Sequence, residues 1–185
     1  LSFVGHSDAT AFYAVNVVGT TNLLEALAAS KLQPRRVVIA SSANVYGNAK
    51  VEPITEATPP APVNHYAASK LAMELMVRTY SDRLPIVMTR PFNYTGVGQS
   101  INFLVPKLVA HFAQRQPFIE LGNLEVVRDF SDVRAVAQAY LHLLTAEVPQ
   151  GVTNLCSGVG RSLRWVLDQL TELSGHSLEI RVNPE

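Results

Sequence analysis

A tyrosine and a lysine stand four residues apart in the segment 64–70, which reads NHYAASK. Side chains at this spacing lie one above the other on the same face of an α-helix. A fixed ammonium beside a phenol favours the phenolate and lowers its pKa. Tyr66 beside Lys70 is therefore a candidate for exchanging a proton with a carbonyl or hydroxyl oxygen at neutral pH. The same spacing also occurs in helices where the tyrosine packs and the lysine is solvated, so the motif needs support from its neighbours.

That support comes from polar residues that follow predicted strands. The β-branched run 37–40 is typical of a strand buried on both faces of a parallel sheet, and it leads into Ser41 and Ser42. The apolar runs 85–89 and 152–155 lead in the same way into polar segments, RPFN at 90–93 and SG at 157–158. Ligands of such sheets bind outside the carboxyl ends of the strands. We therefore expect a site at this edge.

The elements that would position these residues alternate between helix and strand. The apolar pattern predicts helices over 12–30, 65–83, 101–114, 132–146 and from the Ser162 cap to Gly175, a last strand over 178–182, and a proline-rich loop over 48–63. Alternating helices and continuous apolar strands favour a doubly wound α/β sheet. A loop as long as 48–63 is usually functional.

Composition excludes several classes of protein. The chain has 185 residues, 48% of them hydrophobic, a formal net charge of +0 and a pI of about 7.2, so no nucleic-acid partner is expected. Cys156 is the one cysteine, which supports neither a disulfide framework nor a metal site and favours a reducing compartment, the cytoplasm. The absence of a membrane-length apolar run predicts no membrane partner. Since Leu1 is not methionine, we expect a piece of a longer protein.

Five motifs in this order resemble the extended short-chain dehydrogenase/reductase family, the NAD(P)-dependent nucleotide-sugar epimerases, dehydratases and reductases. They are NVVGT at 16–20, SSANVYG at 41–47, YAASK at 66–70, RPFN at 90–93 and RDF at 128–130. The resemblance implies an α/β, Rossmann-like doubly wound parallel sheet, with its N-terminal part missing, and a smaller α/β substrate-binding domain. The implied NAD(P)-binding domain comprises 1–93 and 126–157, and the implied nucleotide-sugar domain comprises 94–125 and 158–185.

The resemblance also implies catalytic roles. Tyr66 matches the family's acid/base, and Lys70 matches the residue that holds the nicotinamide ribose and lowers the tyrosine pKa. Ser42 matches the hydroxyl that hydrogen-bonds the reacting sugar oxygen, although capping of the strand end would also explain it. Asn16 matches a helix asparagine near the active site, and a buried amide that stabilises the helix explains it equally well.

Binding residues follow from the same resemblance. The implied contacts to NAD or NADP are Ser41, Tyr66, Lys70, Pro91 and Phe92; those to the nucleotide-sugar are Ser2, Asn44, Asn93 and Arg128. Arg128 would pair with the substrate diphosphate, with a surface ion pair to Asp129 or Asp132 as the alternative. The family's glycine-rich pyrophosphate turn is not found in the chain, so we do not expect this chain to bind NAD(P) by itself.

Two features of the sequence favour one type of reaction within the family that it resembles. Ala43 and Asn44 stand where family dehydratases carry an Asp-Glu or Ser-Glu pair, whose glutamate removes the sugar C5 proton. Their presence disfavours a 4,6-dehydratase. The stretches 90–99 and 121–130 resemble the group of GDP-4-keto-6-deoxy-D-mannose reductases and GDP-mannose dehydratases. The implied activity is NAD(P)H-dependent reduction of the C4 ketone of a GDP-4-keto-6-deoxy-hexose, forming GDP-D-rhamnose. The alternatives are an NAD-dependent nucleotide-sugar 4-epimerase and a non-catalytic relative. A homodimer through helices 12–30 and 65–83 is also expected.

Overall fold

The computed structural model describes residues 8–147 and 149–183. Its elements, in chain order, are α1 (Ala9–Tyr13), a π-helical turn (Ala14–Gly19), α2 (Thr20–Ala29), β1 (Val37–Ala40), a 3₁₀ turn (Ala43–Tyr46), α3 (His65–Arg78), β2 (Ile86–Pro91), β3 (Asn93–Thr95), α4 (Leu104–Ala113), β4 (Phe118–Leu121), β5 (Val127–Asp132), α5 (Val133–Thr145), β6 (Gly151–Leu155), β7 (Gly160–Ser162), α6 (Leu163–Ser174) and β8 (Glu179–Val182). The predicted alternation of helices and strands is present.

The chain divides into two compact units. The first comprises Leu1–Phe92 and Arg134–Leu155, and the second comprises Asn93–Val133 and Cys156–Glu185. The predicted assignment differs at 93, 126–133 and 156–157, which we placed in the first unit. The longest of these segments, 126–133, belongs to the second unit because β5 pairs with β3 and β7, both of which lie there.

The first unit is built on a parallel sheet of order β1-β2-β6. α3 connects β1 to β2, and α5 lies between β2 and β6 in the chain. Helix and strand side chains form one apolar cluster, which includes Leu24, Met73, Val77, Ile86 and Met88. β2, the central strand, is the most deeply buried of the three. In β1, Ile39 is buried and the two valines before it are half-buried.

The helix predicted over 12–30 begins at Ala9 and contains a π-helical turn that periodicity does not reveal. Asp8 caps its start by accepting a hydrogen bond from the backbone N–H of Thr10 at 2.8 Å. The π-helical turn, Ala14–Gly19, carries Asn16 on its buried side. Turns of this kind inside α-helices are frequent at functional sites.

The second unit contains a sheet of order β3-β5-β7 and a two-stranded parallel sheet of β4 and β8. α4 and α6 supply its apolar cluster, which includes Leu108, Phe112 and Leu167. The predicted ends of α6 are observed: the Ser162 hydroxyl accepts from the N–H of Trp165, and Gly175 adopts a left-handed conformation with φ of 61°. Within the described residues, no helix combines the length and apolarity needed to cross a membrane.

The predicted loop 48–63 contains neither helix nor strand. It folds back onto the 3₁₀ turn, where the N–H of Ala61 donates to the carbonyl of Val45 at 2.8 Å. The close approach depends on Gly47, whose φ is 60°. A Cβ at this position would lie 1.9 Å from the carbonyl oxygen of Ala61. The loop is therefore held against the end of β1 by backbone contacts.

We expect Gly47→Ala to destabilise the protein by at least about 2 kcal/mol, because alanine is strained at this φ and its Cβ meets backbone. Urea unfolding followed by circular dichroism measures the change. Gly122→Ala is the matched control, since a Cβ there meets no atom within 4 Å. Equal stability of the two variants would contradict this account of the loop.

Candidate functional site

Tyr66 and Lys70 lie on one face of α3, as their spacing predicts. Asn64 fixes the start of this helix, since its side chain accepts from the N–H of Ala67 at 2.9 Å. The half-buried ring of Tyr66 makes an edge contact with Phe12, with 5.8 Å between ring centroids. The Lys70 Nζ lies 6.0 Å from the centroid of the Tyr66 ring. The structure therefore brings the predicted phenol and ammonium together.

Lys70 is buried and its ammonium is held at the end of β1. Nζ donates to the carbonyl oxygen of Ala40 at 2.8 Å, which uses one of its three N–H donors. Burial lowers the pKa of Lys70 below its ordinary value, and the negative charge of Glu74 partly offsets this effect. The remaining donors can therefore serve a ligand from a fixed position.

Ser42 caps the 3₁₀ turn that follows β1. Its Oγ accepts from the N–H of Asn44 at 3.2 Å, and the side chain is buried. This is the capping role that we considered as the alternative. It does not compete with a contact to substrate, because a hydroxyl that accepts one hydrogen bond still has its own proton to donate.

Ser41 makes a contact within the protein that the sequence did not predict. Its hydroxyl is buried and donates to Oε1 of Glu74. In the described structure Ser41 therefore anchors the end of β1 to α3, and a contact between Ser41 and the cofactor stays a prediction.

A buried ion pair between Glu74 and Arg90 lies behind these residues, and our reading of the sequence missed it. The Arg90 Nε donates to Oε1 of Glu74 at 2.9 Å, and its Nη2 donates to Oε2. The two side chains are 0% and 2% exposed for Glu74 and Arg90, respectively. Arg90 also donates through Nη1 to the hydroxyl of Tyr46 at 2.9 Å, and Tyr46 donates to Oδ1 of Asn154 at 2.7 Å. The sequence could have indicated that Glu74 is buried, because Glu74 follows Lys70 by four residues and so lies on the same face of the helix.

The electrostatics of this pair keep Arg90 charged. Burial alone would lower its pKa, but the hydrogen bonds to Glu74 and Tyr46 and the charge of Glu74 raise it above the ordinary value. A bidentate arginine–carboxylate pair with its other donors satisfied is the geometry in which a buried charge is tolerated.

Asn16 supports the residue at the centre of the site. Its Nδ2 donates to the Ser69 hydroxyl at 2.9 Å, and that hydroxyl donates to the carbonyl oxygen of Tyr66 at 2.7 Å. Both side chains are buried. The Asn16 amide therefore supports α3 at Tyr66 through the Ser69 hydroxyl, as the explanation by a buried stabilising amide requires.

The remaining predicted cofactor residues lie at the end of β2. Pro91 is the last residue of that strand, and Phe92 is half-buried with its ring centroid 6.4 Å from that of Tyr46. Asn44, predicted to contact substrate, is exposed on the 3₁₀ turn. Ser2 lies outside the described residues.

Asn93 and Arg128 lie in the second unit and are both exposed. The Nδ2 of Asn93 donates to the backbone carbonyl of Asp129 at 3.4 Å, and Nη1 of Arg128 donates to the carbonyl of Val127 at 2.8 Å. The alternative ion pair of Arg128 with Asp129 or Asp132 is not formed within the described residues. The Asp129 carboxylate instead accepts three backbone hydrogen bonds, from the residues 157–159.

We expect Glu74→Gln to lower the free energy of unfolding by about 3–5 kcal/mol, because it leaves the buried guanidinium of Arg90 without its countercharge. Urea unfolding measures the loss. Glu125→Gln, which breaks the exposed pair between Glu125 and Arg164, should change the unfolding midpoint little. If the two variants unfold at the same midpoint, the buried pair does not have the role assigned to it.

Known proteins similar to this chain identify its family. Residues 3–156 match the model of the NAD dependent epimerase/dehydratase family. The chain is 39% identical over 183 residues to GDP-6-deoxy-D-talose 4-dehydrogenase of Aggregatibacter actinomycetemcomitans, covering 99% of this chain and 62% of that protein. It is 35% identical over 179 residues to GDP-6-deoxy-D-mannose reductase of Pseudomonas aeruginosa, covering 92% and 59%.

A solved structure, that of RMD from Pseudomonas aeruginosa complexed with NADPH, superposes with a TM-score of 0.88 at 34% identity, covering 96% of this chain and 62% of that one. The chain thus spans about three-fifths of the length of these relatives. The predicted Rossmann-like α/β fold with a parallel sheet is confirmed. The matched family model, together with the identity to these two enzymes, shows that the chain belongs to the NAD dependent epimerase/dehydratase family.

Proposed function

We propose that the full-length protein is an NAD(P)H-dependent oxidoreductase that reduces the C4 ketone of a GDP-4-keto-6-deoxy-hexose to give GDP-D-rhamnose. The observation that carries the proposal is the buried ammonium of Lys70, fixed at the end of β1 beside the ring of Tyr66. The names of the two enzymes similar to this chain, both acting on GDP-6-deoxy sugars, support the choice of base and sugar.

In this proposal Tyr66 gives a proton to the oxygen that forms at C4. The positive charge of Lys70 stabilises the phenolate that remains on Tyr66. Ser42 donates the proton of its hydroxyl as a hydrogen bond to the same sugar oxygen, while its lone pair stays on the N–H of Asn44. Ser42 can therefore take this role without leaving its observed contact.

The residues at the ends of β1 and β2 fit a nicotinamide cofactor. Lys70 retains N–H donors that suit ribose hydroxyls, and Pro91 with Phe92 offers apolar surface for a ring. When bound, the cofactor supplies the hydride to C4. Because one structure similar to this chain contains NADPH, the first assays use NADPH, with NADH compared beside it.

The nucleotide part of the substrate is assigned to residues of the second unit. The Arg128 guanidinium, which has no carboxylate partner within the described residues, suits a diphosphate. Asn93 offers an exposed amide. In the first unit, Asn44 is proposed to contact the sugar, and as an amide it cannot act as the base that a 4,6-dehydratase needs.

Two further expectations concern the whole protein. We propose a homodimer through the helices predicted over 12–30 and 65–83, because these helices leave apolar side chains exposed, including Val15, Val18, Leu23 and Leu75.

The cytoplasm is the proposed compartment, since the sequence has a single cysteine.

We expect Tyr66→Phe to lower kcat by about 10²–10⁴-fold with little change in KM, since it removes the proton donor but not the binding groups. Oxidation of NADPH by the full-length protein with GDP-4-keto-6-deoxy-D-mannose measures this. Tyr80→Phe, which loses only a hydroxyl bonded to Glu25, should stay active. Failure to oxidise NADPH, together with conversion of a UDP-sugar by protein that retains NAD, would make the enzyme a 4-epimerase instead.

The product configuration tests the sugar assignment separately. 6-Deoxy-D-mannose and 6-deoxy-D-talose differ at C4, so either can arise from the same ketone, according to the face that accepts hydride. We expect the proton spectrum of the product to show large H3–H4 and H4–H5 couplings, as in GDP-D-rhamnose. Small couplings at H4 would identify the talose product and overturn the rhamnose assignment, leaving the role of Tyr66 intact.

A further inference from the structure

Two arginines face each other across the second unit's antiparallel strand pair. Arg128 of β5 and Arg161 of β7 are direct partners in the register. Directly opposed residues project from the same face of a sheet, with Cβ atoms about 4.5–5.5 Å apart, and like charges in this arrangement destabilise the pairing. Such a pair calls for an explanation.

No carboxylate neutralises the pair within the described part of the chain. Arg128 donates to the backbone carbonyl of Val127. The guanidinium of Arg161 stacks on the ring of Trp165, 4.6 Å from the centroid. The neighbouring carboxylate, that of Asp129, accepts from backbone N–H groups and forms no ion pair with either arginine. Within the described residues, the two guanidinium groups therefore lack a carboxylate in contact with them.

The register that opposes these arginines is enforced by its surroundings. The Asp129 carboxylate accepts from the N–H groups of Ser157, Gly158 and Val159 at 2.9, 2.7 and 3.2 Å. Gly158 has φ of 77°, a conformation that suits glycine. A Cβ on Gly160 would lie 2.7 Å from a methyl carbon of Val127. These contacts keep β7 in place against β5, so the opposition of the arginines is a fixed feature.

Arg161 also lines a pocket of about 330 Å³ in the second unit. The apolar part of its wall is formed by Val105, Phe130, Val159, Trp165 and Val166. Two planar aromatic rings and aliphatic side chains beside a cation suit a flat aromatic base joined to an anionic group.

We propose that Arg161 is a second phosphate-binding residue, which together with Arg128 binds the diphosphate of a nucleoside diphosphate whose base enters this pocket. The inference rests on the proposed function and deepens it by adding a residue to the proposed substrate site. Arg161 belongs to none of the motifs that carry the family resemblance. Two guanidinium groups on one sheet face match two adjacent phosphates, and the anion removes the repulsion between the arginines.

The test is calorimetric titration of the full-length protein with GDP, UDP and GMP at one fixed salt concentration. We expect Arg161→Gln to weaken binding of GDP by about tenfold to hundredfold, as loss of a hydrogen bond to a charged group predicts. The loss with GMP should be smaller, because GMP has one phosphate. Arg164→Gln is the matched control: it removes the same charge from a neighbouring exposed arginine that has Glu125 as its partner, and it should bind GDP like the wild type.

A second readout places the ligand in the pocket. Because Trp165 lines the pocket, addition of GDP should change the tryptophan fluorescence of the full-length protein, and this change should be smaller in Trp165→Phe. A GDP-induced change of the same size in Trp165→Phe and in the wild type would contradict the placement of the base.

The outcomes separate this inference from the function on which it rests. If Arg161→Gln binds GDP like the wild type while Arg128→Gln is weakened, the inference is overturned and the proposed function stands. Equal losses in Arg161→Gln and Arg164→Gln would show a general charge effect and would also overturn it. If the wild type binds UDP more tightly than GDP, and Arg161→Gln weakens the binding of both, the contact of Arg161 with phosphate is supported. The assignment of guanine as the base is then wrong. Failure of the wild type to bind either nucleotide overturns both proposals.

Discussion

The buried ion pair between Glu74 and Arg90 is the interaction on which the geometry of the first unit depends. Removing two charges from water costs several kcal/mol per ion, and only a well-formed pair with its other hydrogen bonds satisfied recovers that cost. Here the pair is bidentate, and Ser41 and Tyr46 satisfy further lone pairs and donors. An apolar pair of similar volume can be as stable, so the value of this pair lies in the geometry that it imposes.

That geometry joins segments far apart in the chain. Glu74 belongs to α3, Arg90 to β2, and their hydrogen bonds reach the end of β1 through Ser41 and the 3₁₀ turn through Tyr46. Lys70, one turn before Glu74, is fixed to the same end of β1 through Ala40. Hydrogen bonds thus fix the positions of Ser42 and Lys70. These bonds leave the hydroxyl proton of Ser42 and two N–H donors of Lys70 available to ligands.

Much of this arrangement could be predicted because it follows from local periodicity. The spacing of Tyr66 and Lys70 puts them on one helix face, and apolar runs that end in polar residues mark the carboxyl edge of a parallel sheet. Features that depend on distant partners were out of reach. The position of Glu74 on the helix face of Lys70 indicates burial, but its pairing with Arg90 exists only in the fold. The opposition of Arg128 and Arg161 exists only in the register of β5 with β7. The π-helical turn around Asn16 is a backbone irregularity that leaves the apolar pattern unchanged.

A crystal structure of the full-length protein with NADP⁺ and GDP-D-rhamnose tests the central claim most directly. The account predicts that the Tyr66 and Ser42 hydroxyls both lie within hydrogen-bonding distance, about 2.6–3.2 Å, of the sugar O4. It also predicts that the Lys70 ammonium contacts the nicotinamide ribose while keeping its bond to Ala40. A complex in which the Tyr66 hydroxyl contacts no sugar oxygen, or in which Lys70 points away from the ribose, would contradict it.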